Sequence, residues 1–111
     1  MKPEHQTNPQ KGTIYIAPNQ TIEIDSHSNI VLPLPVYNAV ITNRGPAPVR
    51  VSFYWAAPFG EYQLYNYIDV IYGESKILYA PPNALYSYRI TAANFTFTQG
   101  ANIEFRWIMG S

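Results

Sequence analysis

From Thr13 onward, polar and apolar positions alternate with a period of two, the spacing of strands with one buried face. Ile14 and Ile16 share a face, Ala17-Pro18-Asn19-Gln20 carries turn residues, and Ile22 and Ile24 alternate with Glu23 and Asp25. The run Leu32-Pro33-Leu34-Pro35 cannot lie in a central ladder, because proline donates no hydrogen bond, so it reads as an edge strand or a crossover between sheets. Residues 37–42 predict a strand that Asn43-Arg44-Gly45-Pro46-Ala47-Pro48 breaks. Next comes the clearest alternation in the chain, with Val49, Val51, Phe53 and Trp55 on one face and Arg50, Ser52 and Tyr54 on the other.

Residues 62–72 set Leu64, Ile68 and Val70 against Gln63, Tyr65, Tyr67 and Asp69, and their β-branched and aromatic residues favour a strand. Further strands are expected over residues 76–80, 85–90, 95–98 and 103–109, separated by Pro81-Pro82-Asn83, Ala92-Ala93-Asn94 and Gly100-Ala101-Asn102. No stretch repeats apolar residues at helical spacing between caps. About eight short antiparallel strands between Gly- and Pro-bearing turns predict an all-β, single-domain sandwich of jelly-roll or Ig-like type over residues 13–111. Residues 1–12 are polar and aperiodic, and read as an N-terminal arm, flexible or ordered by a partner.

The chain also echoes itself. Ile14-Tyr15-Ile16-Ala17-Pro18-Asn19 and Ile77-Leu78-Tyr79-Ala80-Pro81-Pro82-Asn83 each precede a strand, and each half ends in a strand bearing a tryptophan. A duplicated unit and reuse of one turn chemistry both account for this. On either account Trp55 and Trp107 belong to the core, on central strands.

Composition removes most chemistries. The 111 residues carry seven basic and seven acidic side chains and no cysteine, so thiol nucleophiles, disulfides and thiolate metal sites are excluded. Zero net charge with scattered basic residues argues against nucleic acid and anionic membranes, and no apolar run approaches the ~20 residues of a membrane helix. The first residues lack the apolar stretch of a secretion signal. His5 and His27 have no ligand-type neighbour at metal spacing, and Glu23 and Asp25 share a strand face best read as solvated. No Gly-x-Ser-x-Gly elbow or phosphate loop occurs, so neither enzyme activity nor a cofactor is expected. Asn19-Gln20-Thr21 and Asn94-Phe95-Thr96 match the glycosylation triplet, which means little without a secretion signal.

Tyrosine is the anomaly. Ten tyrosines exceed what one small core absorbs, since each buried hydroxyl needs a partner. Charged residues are 13% of the chain, about half the ~25% of ordinary domains. Outward tyrosine with few charges is the composition of protein interfaces. Tyr54, Tyr65, Tyr67 and Tyr79 are the interface candidates.

The stretch Asn43-Arg44-Gly45-Pro46-Ala47-Pro48-Val49-Arg50-Val51 resembles a strand pattern of small virion β-sandwiches. Ile77-Leu78-Tyr79-Ala80-Pro81 before Tyr86-Ser87-Tyr88-Arg89-Ile90 is similar to their proline turn and following strand. The best-known of these are capsid decoration proteins of tailed bacteriophages. The resemblance implies a structural protein of the virion, a homo-oligomer with a trimer favoured, docked on a larger lattice such as a major capsid protein. The alternative expectation is a carbohydrate-binding module that uses surface tyrosines as stacking platforms.

Overall fold

The computed structural model describes residues 10–29 and 31–108. Eight strands follow in chain order: β1 (Gln10–Ile16), β2 (Gln20–Ser28), β3 (Ala39–Pro46), β4 (Val49–Ala56), β5 (Gln63–Val70), β6 (Ser75–Leu78), β7 (Ser87–Asn94) and β8 (Ala101–Trp107). They form two four-stranded sheets, ordered β1-β8-β3-β6 and β2-β7-β4-β5. First pairs with last, second with seventh, third with sixth and fourth with fifth, all antiparallel. This nesting is a long hairpin rolled into a sandwich, the eight-stranded jelly roll.

The alternation delivers the core as expected. Ile16, Ile41, Val51, Phe53, Val70, Leu78, Ile90, Ile103 and Phe105 are almost wholly buried between the sheets. Fully burying each such side chain contributes on the order of 1.5–3 kcal/mol before chain entropy is charged against it. Trp55 and Trp107 lie on central strands as expected, but both are only partly buried and pack against the rim of the core. The echo extends to turn chemistry and not to strand position, for β2 is an edge strand and β7 an interior one.

Several boundaries differ from the sequence reading. β1 begins at Gln10, inside the segment expected to be an arm, and a register shift follows between Gln10 and Gly12, where Gly12 takes φ 85°. Residues 1–9, with His5, lie outside the described residues, as do residues 109–111. Residues 95–98 form a loop and not a strand, because Asn94 turns the chain there. Leu34 makes a single bridge to Leu85, so the proline-flanked run is a crossover.

Strands alternate direction, so the turns after β1, β3, β5 and β7 gather at one end of the roll. Two buried asparagines knit that end together. Asn43 Nδ2 donates to the carbonyls of Ala47 (2.9 Å) and Val70 (2.8 Å), and its Oδ1 accepts from Gly45 N at 2.6 Å. Asn94 Nδ2 donates to Ile16 O and Gln99 O, while its Oδ1 accepts from both N and Oγ1 of Thr96. Asn94 is 1% exposed, which closes its triplet to glycosylation in the folded chain. Gly45 has φ 82°, and a Cβ there would sit 2.5 Å from the ring of Tyr72, so only glycine fits beneath that ring.

At the opposite end Tyr88 stacks on Phe53 (5.6 Å between centroids), meets Trp107 edge-on and donates its hydroxyl to Asp25 Oδ2 at 2.6 Å. Burial, then the bond to Asp25, push this hydroxyl far above the ordinary tyrosine range. An unfolded tyrosine loses its proton near ~10, whereas folded Tyr88 keeps it. Its contribution to stability is therefore complete below about pH 10 and is lost as pH rises beyond that. Absorbance titration of tyrosinate should show Tyr88 silent until the fold opens, and Tyr88→Phe should abolish that late step. Early ionisation of every tyrosine would contradict the buried hydrogen bond.

Candidate functional site

The outer faces of the two sheets differ in kind. On β1-β8-β3-β6 the outward positions are mixed: Tyr15, Val40 and Ile77 lie beside polar pairs in which Arg44 bonds both carboxylate oxygens of Glu104 and Thr42 Oγ1 lies 2.8 Å from Ser75 Oγ. Such exposed pairs contribute little, about 0–1 kcal/mol.

On β2-β7-β4-β5 the register lays out three rows across four strands. The first is Thr21–Ala93–Arg50–Asp69, the second Glu23–Thr91–Ser52–Tyr67 and the third Ser26–Arg89–Tyr54–Leu64. Arg50 bonds Asp69 through Nε (2.8 Å) and Nη2 (3.0 Å), and its Cζ lies 4.1 Å from the centroid of the Tyr67 ring and 5.9 Å from that of Phe95. The guanidinium of Arg50 holds the Asp69 carboxyl below the usual carboxylate range. Arg89 Cζ lies 4.8 Å from the Tyr62 ring centroid and 5.4 Å from that of Tyr54. The face is therefore tiled by two arginine–tyrosine stacks, with Leu64 and Phe95 exposed beside them.

This arrangement brings together only part of the tyrosine set. Tyr54 and Tyr67 share the outer face, on neighbouring strands. Tyr65 does not join them, because the register slips between Phe53 and Tyr54 and leaves Tyr65 as the bulged residue. Its ring meets buried Phe53 edge-on at 6.2 Å, while Leu64, expected inside, is turned outward opposite Tyr54. Tyr79 follows β6 and lines a shallow depression of ≈ 390 Å³ with Val40, Ile68 and Ile77, where the two sheets' edges approach. Tyr62, Arg50 and Arg89 are the members that the four interface candidates left out. Arg50 was readable as outward from the alternation on β4, in phase with Tyr54.

The same kind of slip separates Glu23 from Asp25. A register shift leaves Glu23 outward opposite Thr91, while Asp25 accepts from Tyr88. Among the described residues, no three His, Cys, Asp or Glu side chains come together to hold a metal.

The architecture defines a class, the jelly-roll sandwich, here with arginine–tyrosine stacks on one of its two outer faces. The family follows from comparison. The chain belongs to the PirA-like family, whose model matches residues 10–104. It is similar to a solved structure described as the crystal structure of PirA, at 24% identity and a TM-score of 0.82, over 96% of this chain and 100% of that one. That likeness shows the fold. No curated protein matches the chain. The Asn43–Val51 stretch that resembled a virion strand carries the chain from the end of β3 in one sheet to the start of β4 in the other.

Proposed function

We propose that the chain is a non-enzymatic docking module that seats the outer face of β2-β7-β4-β5 against another protein. The observation that carries this reading is the pair of guanidinium-on-tyrosine stacks on one sheet, which the outer face of the other sheet lacks among the described residues. Tyrosine and arginine dominate interface hot spots, and rings already held by arginine lose little entropy on binding. Four strands at ~4.8 Å spacing and about eight residues long give a face of roughly 500 Å² before side-chain relief. With the flanking loops, that approaches the ~800 Å² per partner of a standard interface.

The same geometry disfavours a sugar platform. A stacking platform needs a bare ring face, yet Arg50 lies over the ring of Tyr67 and Arg89 lies near those of Tyr54 and Tyr62. Self-association into a symmetric oligomer is the simplest form of docking, and the proposal includes it. The virion lattice has no counterpart among the relatives found, and the proposal makes no use of it.

A displayed random-peptide library selected against the protein tests the reading. Clones should bind through this face, so that Tyr67→Ala weakens them by about 30-fold, the effect of a hot spot of ~2 kcal/mol. Light scattering on the same samples reads the oligomer. Clones that ignore Tyr67→Ala, or a glycan array that yields the only ligands, would overturn the proposal.

A further inference from the structure

Arg44 and Arg50 each hold a carboxylate with two hydrogen bonds, and Lys76 lies 3.7 Å from Glu74. Arg89 differs. Among the described residues, no carboxylate lies within ion-pair distance of it and no group accepts a hydrogen bond from it. Its Nε is buried without a partner, although its terminal nitrogens are not. The side chain is half-buried, in the middle of the sheet on β7, with Ser26 on one side and Tyr54 on the other.

Desolvating a guanidinium without pairing it costs stability, and contact with the Tyr54 and Tyr62 rings returns only part of that cost. What is missing is an acceptor on the guanidinium, beginning with Nε, and a carboxylate fits the fork that Nε and a terminal nitrogen present better than any neutral group. Neither Glu23, two positions away on the outer face, nor Glu61, beside Tyr62, supplies it. We infer that Arg89, framed by Tyr54 and Tyr62, is the socket for an aspartate or glutamate side chain of the docked protein. This rests on the docking reading and adds the partner's chemistry. Arg50 two rows away is already paired with Asp69, and Glu23 in the row between lies out on β2, so Arg89 is the cation of these rows that holds no carboxylate and a partner presenting one acidic residue there complements it.

The test titrates the full chain with two capped peptides, Ac-Glu-Tyr-Glu-NH2 and Ac-Gln-Tyr-Gln-NH2, and follows the Arg89 Nε–Hε and Tyr54 ring signals by NMR. A charge-assisted bond exceeds a neutral one by about 1.4 kcal/mol, so the glutamate peptide should bind at least ~10-fold more tightly. Arg89→Gln should abolish that preference. Arg89→Lys, which keeps the charge and removes the fork, should lose most of it, and Arg44→Gln on the opposite sheet should retain it. Equal binding of the two peptides, or a preference that survives Arg89→Gln, would overturn the socket. Binding of sialyllactose in place of the peptides would assign the site to an acidic sugar and overturn a protein-borne carboxylate. If display-selected clones still depend on Tyr67 while the peptides show no charge preference, the socket fails and the docking face stands. If neither depends on the face, both fail.

Discussion

Replacing Asn43 with alanine should destabilise the fold by about 3–5 kcal/mol, a large part of the 5–15 kcal/mol that holds a domain together. The carboxamide is fully buried and joins three segments, the carbonyl of Ala47 after β3, the carbonyl of Val70 at the end of β5 and the amide of Gly45. Alanine leaves all three without a partner and admits no water to replace it, at about 1–3 kcal/mol for each orphaned group. Aspartate restores the acceptor only, so Asn43→Asp should recover little. Thermal unfolding should show a midpoint lower by roughly 15 °C or more, from about 4–8 °C per kcal/mol at this chain length. A loss below ~1 kcal/mol would mean that the turns hold themselves together without the side chain. Asn94, with four hydrogen bonds of its own, should behave alike.

Phe53→Ala should cost a similar amount, about 3–5 kcal/mol, by a different route. The ring is 1% exposed, stacks on Tyr88 and takes the edge of Tyr65. Its removal opens a cavity and withdraws the support that holds the bulged Tyr65. Phe53→Leu refills most of the volume and should cost no more than about 1.5 kcal/mol. Urea unfolding distinguishes the two. The midpoint should fall steeply for alanine and slightly for leucine, with the slope unchanged if the native state stays compact. Equal effects would show that the aromatic contacts, and not the filled volume, matter at this position.

The fold was largely legible because alternation reports which face of a strand is dry. Val49, Val51, Phe53 and Trp55 were read correctly for that reason. What alternation cannot see is a slip in pairing, since an added residue reverses every later side chain. That is why Leu64 and Tyr65 exchanged faces and why Glu23 and Asp25 parted company. Asn43 and Asn94 were overlooked although each lies in phase with the core, two residues after Ile41 and Ala92. A polar residue on the dry face of a strand was the available signal. The site was legible by half, because tyrosine counting flags rings without showing which of them an arginine will cover. Arg89 could be placed outward from the alternation of β7, but its lack of a carboxylate depends on strand order, which a single sequence does not display.

One further property follows from the outermost pair of the roll. Gln10 on β1 stands opposite Arg106 on β8, so the polypeptide enters and leaves side by side in the sheet that carries Arg44 and Glu104. The tyrosine–arginine surface looks the other way. The described fold thus begins and finishes within one sheet, and the docking face is built wholly from the strands in between, as the pins of a plug are set apart from its cable.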